Sequence, residues 1–232
     1  VTAAHAAAVT ASVVRHERNA EATKRRLLVA AEIEFAAKGF DGARLGNIAR
    51  AAGVQQALIH HYFGDKEGLY REVLGRGLAA VTGQGWDILA RLGETVKGKR
   101  STIDELATAF VDMLVRFYAT HRALLAILRH EADGPGNDAG GGQAIDELLR
   151  GTVRPMFEAV VAQIEKMKRR GEVRRDVNAR HLCVSVMAMA CFPFQEERLL
   201  SAIWPVDWSD PAFLEERKSE ILETVLSRAR PA

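Results

Sequence analysis

The sequence predicts an all-α chain, a small N-terminal unit of short helices followed by a larger body of longer ones. Three observations carry this. No proline occurs before Pro135, so nothing in the first half interrupts a helix by its missing N–H. Apolar residues recur three and four positions apart, and no strand-like alternation persists anywhere. The apolar stripes are short as far as Asp65, broken at Gly39 and Gly53, and lengthen after it.

Leu27, Leu28, Ala31 and Phe35 form the first stripe, with Gly39 as its stop. Leu45, Ile48 and Ala52 form the second, broken at Gly53. A third short helix is expected from about Gln56 to Phe63. Asp65 is placed to cap a longer helix carrying Leu69, Val73 and Leu78. Thr102 to Ala119 presents Leu106, Phe110, Met113, Leu114 and Phe117 on one broad face, and Leu124 to Leu128 continues after a break near His121. Residues 134–142 (GPGNDAGGG) read as a flexible linker by composition. A helix from about Ile145 to Arg170 follows, kinked where Gly151 and Pro155 fall. Asn178 caps another, His181 to Phe192, stopped at Pro193. Pro205 to Pro211 is a turn-rich loop, and Asp210-Pro211 starts the last helix, Ala212 to Arg228.

Composition excludes several classes. The chain has 232 residues, 48% hydrophobic and 27% charged, as an ordinary globular protein with a sizeable core does. Its apolar runs stop short of the ~18 to 20 residues that span a bilayer. The Ala-rich opening, Val1 to Val14, lacks the basic start and Leu-rich core of a signal peptide. Two cysteines, Cys183 and Cys191, fit a reducing cytoplasm rather than a disulfide framework. Net charge is +2; the first 76 residues hold 11 Lys and Arg against 8 Asp and Glu, a bias too weak to decide anything alone.

The spacing Ile48-Ala49, Gly53-Val54, Ile59 meets the needs of two helices crossing steeply through a tight turn. Ala49 is small where the backbones nearly touch, Gly53 tolerates positive φ, and Val54 and Ile59 follow as buried positions. The other face of the second helix is polar, with Gln55, Gln56, His60 and His61, as suits a helix lying against DNA. Glutamine makes two hydrogen bonds to an adenine edge, and imidazole or phenol groups suit phosphate oxygens. Tyr62-Phe63 ends that helix. Lys66 opens the next, where its charge and the free N–H groups favour a phosphate.

From about Thr23 to Leu74 the chain resembles the TetR family of bacterial transcriptional regulators. The resemblance rests on Gly39-Phe40, Ile48-Ala49, Gly53-Val54 and the string Ile59-His60-His61-Tyr62-Phe63-Gly64-Asp65-Lys66-Glu67-Gly68-Leu69. It implies an extension at 1–19, an N-terminal helix-turn-helix DNA-binding domain at 20–68, and a larger C-terminal helical ligand-binding and dimerisation domain at 69–232. It further implies a cytoplasmic homodimer made by the last two long helices, a repressor of a near-palindromic operator that a small-molecule inducer releases. Carried over by position, the DNA contacts are Arg44, Gln55, Gln56, Ala57, Leu58, His60, His61, Tyr62 and Lys66. Two departures stand out. Ala43-Arg44 occupies the place of the usual threonine, so the hydroxyl cap of the second helix is missing. Ala57-Leu58 replaces a small polar or glycine pair and suits thymine methyls.

Within the body the resemblance implies an inducer pocket, for which Trp86, Phe110, Met113, Phe117, Tyr118, Phe157 and Met187 are candidates, suited to an apolar or aromatic ligand. No cofactor, metal or catalytic residue is expected. His60 and His61 are adjacent on a helix and diverge by about 100°, so they cannot share one ion. Cys183 and Cys191 read as core or interface packing, and Gly140-Gly141-Gly142 lacks the strand and Lys-Ser pair of a phosphate loop. Arg15, Arg18, Lys24, Arg25 and Arg26 read equally as a solvated tail or as an arm on DNA. The basic run from Lys166 to Arg175 reads as a solvated helix end. The alternatives are a helical enzyme, which no nucleophile elbow or zinc signature supports, and a protein-interaction module that keeps the fold without binding DNA.

Overall fold

The computed structural model describes residues 2–93, 102–132 and 140–231. Among these there is no strand, and the fold is all-α with an N-terminal helix-turn-helix head and a larger helical body. The helices run α1 (Thr2–Gly42), α2 (Leu45–Ala52), α3 (Ala57–Phe63), α4 (Lys66–Gly93), α5 (Ile103–Thr120), α6 (Arg122–Ala132), α7 (Gly140–Leu148), α8 (Arg154–Arg169), α9 (Ala179–Gln195), α10 (Glu197–Ile203) and α11 (Pro211–Ala229). No helix among the described residues is long and apolar enough to cross a membrane.

The head is built as its periodicity demands. Leu27, Ala31 and Phe35 of α1, Ile48 of α2, Ile59 of α3 and Leu69, Tyr70 and Leu74 of α4 are all fully buried and form one core. Gly39 breaks α1 with φ 66° and ψ −177°, and a Cβ there would lie 3.3 Å from the Cβ of His130 in α6. Residues 2–19, read from the sequence as an N-terminal extension, continue α1 as helix; the side chains of Arg15 and Arg18 lie outside the described part.

In the body, α5 is the central helix and packs against α4, α9 and α11. Its start carries a full capping box: Thr102 Oγ1 accepts from the Glu105 N–H, and Glu105 Oε2 accepts from the Thr102 N–H at 3.0 Å. Asn178 and Asp210 cap α9 and α11 by their side-chain oxygens alone, accepting from the Arg180 and His181 N–H groups and from the Ala212 N–H. The expected kink between Ile145 and Arg170 is a π turn, Leu149–Val153, with Gly151 inside it. Pro155 sits in the first turn of α8, where a missing N–H costs nothing.

Three expectations are corrected. The glycines at 140–142 do not form a linker: they open α7, and a Cβ on Gly141 would lie 2.8 Å from the Cβ of Phe40, so this helix start needs glycine to approach α1. Residues 133–139 of that stretch lie outside the described residues. Helix α9 does not stop at Pro193 but runs on to Gln195. Proline removes the N–H that would bond to the Met189 carbonyl four residues earlier, and Arg217 Nη2 of α11 donates to that carbonyl instead, at 2.9 Å. Finally, α10 is an additional short helix leading into a loop whose Trp204 and Trp208 stack edge to face with each other and with Phe213 of α11.

Candidate DNA-reading head and ligand cavity

The turn between α2 and α3 closes as the sequence requires. Gly53 adopts φ 66°, ψ 40°; its N–H bonds to the Arg50 carbonyl, and the Val54 N–H reaches back to the Ala49 carbonyl at 3.0 Å. This paired closure of a helix end needs a residue in the left-handed region. Helix α3 then begins at Ala57, with Gln56 as its cap residue. Gln55, Gln56, Ala57, His60 and His61 are exposed, while Leu58 and Tyr62 are half-buried and Ile59 faces the core. The candidate reading face is thus one side of a short helix whose other side is fixed.

No side chain caps α2 at Arg44, and its start is held instead by a residue of another helix. Glu34 of α1 accepts from the Arg44 N–H at 3.3 Å, from Asn47 Nδ2 at 3.0 Å and from Lys38 Nζ at 2.8 Å. The Lys38 and Asn47 bonds, in that order, hold its carboxyl below the ordinary carboxylate range. Nothing in the local sequence around Ala43-Arg44 points to this contact, which spans ten residues of chain. With its backbone secured elsewhere, the Arg44 side chain is left exposed.

Two of the other candidate contacts have internal partners. His60 Nδ1 lies 2.9 Å from the Gly64 carbonyl, at the end of α3. Lys66 Nζ donates to the Asp41 carbonyl at 3.2 Å and sits 4.8 Å over the Phe40 ring, and desolvation there lowers its pKa. Lys66 therefore also fixes the start of α4 against the end of α1.

In the body, α4, α5, α6, the π turn, α8 and α9 enclose an apolar cavity of about 190 Å³. Phe110, Met113, Phe117, Tyr118, Phe157 and Met187 all line it. Trp86 does not; it stands 44% exposed on α4. The wall also includes Cys183, which the sequence reading had placed as packing, and Leu149 and Val153 of the π turn. Among the described residues, the hydroxyl and thiol groups on this wall are those of Tyr118 and Cys183. Burial raises the pKa of both, the thiol to about 11. No charged group lines the cavity among the described residues, and no cluster of three or more His, Cys, Asp or Glu gathers as a metal site there.

Head and body meet along α6. Its Leu124, Leu125 and Leu128 wall the cavity, and its far end docks on the head. His130 Nε2 lies 3.1 Å from the Ala36 carbonyl of α1, and Glu131 accepts from the Tyr70 hydroxyl at 2.8 Å. Tyr70 in turn packs edge-on against Phe35 and Phe40. A displacement of α6 at the cavity therefore reaches α1 through packed groups rather than through a loop.

On the opposite side, α9 and α10 leave Val184, Phe192, Leu199, Ile203 and Trp204 at least half exposed. A monomer rarely leaves so many large apolar side chains on adjoining elements in water.

Comparison with known proteins agrees with this geometry. The family model described as bacterial regulatory proteins, tetR family, matches residues 27–73. The model of the tetracyclin repressor-like C-terminal domain matches residues 104–225. Among curated proteins, the HTH-type transcriptional repressor SCO4008 of Streptomyces coelicolor is 29% identical over 173 residues, 75% of this chain and 79% of that protein. The HTH-type transcriptional repressor NicS of Pseudomonas putida is 26% identical over 196 residues, 83% of this chain and 85% of that protein. The crystal structure of the transcriptional regulator FadR from Bacillus subtilis in complex with stearoyl-CoA has the same fold, with TM-score 0.64 at 16% identity, over 88% of this chain and 97% of that one.

Proposed function

The chain belongs to the TetR family of bacterial regulatory proteins, and we propose that it is a homodimeric repressor released from its operator by a small apolar inducer. As a member of that family it is a DNA-binding transcription factor and not an enzyme. The observation that carries the inducer reading is the cavity walled by α6, because the same helix holds α1 of the head through His130 and Glu131. A ligand wider than the empty cavity favours a conformation with α6 displaced, and its differential affinity for the two states sets the strength of release.

Each protomer presents one α3. The exposed apolar face of α9 and α10, with α11 beside it, suits the two-fold contact of a second copy. The two reading helices then fall on half-sites about one helical turn apart or a multiple of it, ~34 Å. Gln55 and Gln56 are assigned to base edges, Ala57 and Leu58 to thymine methyls, and Arg44, His60, His61, Tyr62 and Lys66 to the backbone. A cytoplasmic location goes with this role.

The test is binding of the purified protein to DNA upstream of its own coding region, followed by fluorescence anisotropy while salt is titrated. Lys66→Ala is expected to weaken all sequences alike and to lower the salt slope by about one unit; Gln56→Ala is expected to relax preference at one base position. An equal loss of specificity in both variants refutes the assignment of contacts.

A further inference from the structure

A second hollow adjoins the first at Leu124. It occupies about 280 Å³ between α1, α4 and the start of α6, and its wall includes Arg25, Glu32, Arg76, Gly77, His121 and Leu124. The two cavities differ in kind. The first has no charge on its wall, whereas the second carries two guanidinium groups facing one carboxylate. Neither Arg25, Arg76 nor Glu32 has a hydrogen-bonding or ionic partner among the described residues, although most other cations at the head–body boundary do, Arg71 with Glu67 and Glu147 among them.

Leu124 is the one described residue that lines both cavities. Its side chain leans on α4 where that helix carries glycine: a Cβ on Gly77 would lie 2.8 Å from Leu124 Cδ2 and 3.2 Å from Cδ1. Leu124 is thus a point at which the apolar cavity and the cationic groove adjoin, packed there against bare backbone. A ligand reaching from one space into the other has to displace this side chain, for which another staggered state is open to leucine.

We propose that the inducer is a single-chain carboxylic acid, its aliphatic chain in the apolar cavity and its carboxylate held in the groove by Arg25 and Arg76. This rests on the reading of the apolar cavity as the inducer site. A carboxylate meets a guanidinium through two parallel hydrogen bonds, and an arginine without a partner keeps all of these donors available. A neutral chain finds no use for the groove, and a cation is opposed by it. The placement also couples binding to the head: Arg25 belongs to α1, which carries the helix-turn-helix, while Leu124 belongs to α6 of the body. One ligand then touches both sides of the boundary that His130 and Glu131 hold.

The experiment is calorimetric titration of the full chain with laurate and with dodecanol, in the wild type and in a variant carrying both Arg25→Gln and Arg76→Gln. Both arginines are exposed, so the double variant is expected to fold, and circular dichroism checks this. Laurate is expected to bind at least about tenfold more tightly than dodecanol at low salt, and the double variant to abolish that preference while dodecanol binding stays within about twofold. Added salt is expected to weaken laurate and leave dodecanol unaffected. Equal binding of the two by the wild type, or a preference that survives the double variant, overturns the groove assignment and leaves the apolar cavity as the site. Failure of both to bind counts against the cavity reading itself.

Discussion

The substitution Arg217→Met tests how α9 passes through a proline. Pro193 withholds the N–H that would close the bond to Met189 O, and Arg217 Nη2 supplies a donor at 2.9 Å. A hydrogen bond from a charged donor contributes about 1.5–3 kcal/mol, and an orphaned buried carbonyl costs on the order of 1–3 kcal/mol. Against this, Arg217 is half-buried with Nε unpartnered, and desolvation lowers its pKa, so its removal also relieves a penalty. A net loss of about 1–2 kcal/mol is expected for Arg217→Met. Pro193→Ala returns an N–H to the helix. In that background Arg217→Met is expected to cost about 1 kcal/mol less, since Met189 O keeps a donor within its own helix. The measurement is urea unfolding of wild type, both single variants and the double variant at one fixed protomer concentration, because the midpoint of a dimer moves with concentration. Additivity within about 0.5 kcal/mol refutes the idea that arginine and proline act on one carbonyl.

Glu34→Ala removes the acceptor for the Arg44 N–H and Asn47; amides of α2 are expected to exchange about 5–30-fold faster, for a loss of about 1–2 kcal/mol, while Glu34→Gln keeps an acceptor and restores part of it. The Glu34 carboxyl is held below its ordinary value, so its contribution is present above the unfolded pKa and lost as pH falls through the folded one. Acid exchange measured below pH 4.5 is expected to loosen α2 in the wild type but not in Glu34→Gln. Gly141→Val places a branched side chain against Phe40 and is expected to lower the midpoint of thermal unfolding and weaken DNA binding, read by melting and by anisotropy on operator DNA. Burial pushes the Cys183 thiol up to about 11, so its alkylation by iodoacetamide is expected to be slow at neutral pH, to rise as pH approaches that value, and to be blocked by a ligand filling the cavity; mass spectrometry reads all three.

The features legible in the sequence are those fixed by neighbouring residues. Gly53 announces its own turn, Asn178 its cap of α9, and Asp210-Pro211 the start of α11, because each acts within one helical turn. The reading face of α3 follows from the same period: once Ile59 is inward, Gln56, His60 and His61 fall outward. What stayed hidden depends on residues far along the chain. Nothing near Pro193 foretells Arg217, nothing near Ala43-Arg44 foretells Glu34, and the glycines at 140–142 look like a linker until Phe40 is seen against them. The cavity candidates show the boundary between the two kinds. An apolar stripe on α5 selects Phe110, Met113 and Phe117 correctly as inward, whereas Trp86 lies off the inward face of α4, whose Val81 and Ile88 are buried on either side of it in the chain.

These long-range devices are not scattered at random over the fold. Glu34 and Phe40 of α1 hold α2 and α7, and Ala36 between them receives His130 of α6. The last two turns of α1 are thus the place where the anchor of the α2 backbone, the head–body contact and the close glycine approach all converge. In a core packed at ordinary density, a small shift of α6 is not absorbed at such a point by local compression and is expected to carry α1 with it. By holding the Arg44 N–H and Asn47 from α1, Glu34 ties the start of α2 to the same helix on which the body rests, so a shift of α1 reaches the recognition unit at its first turn.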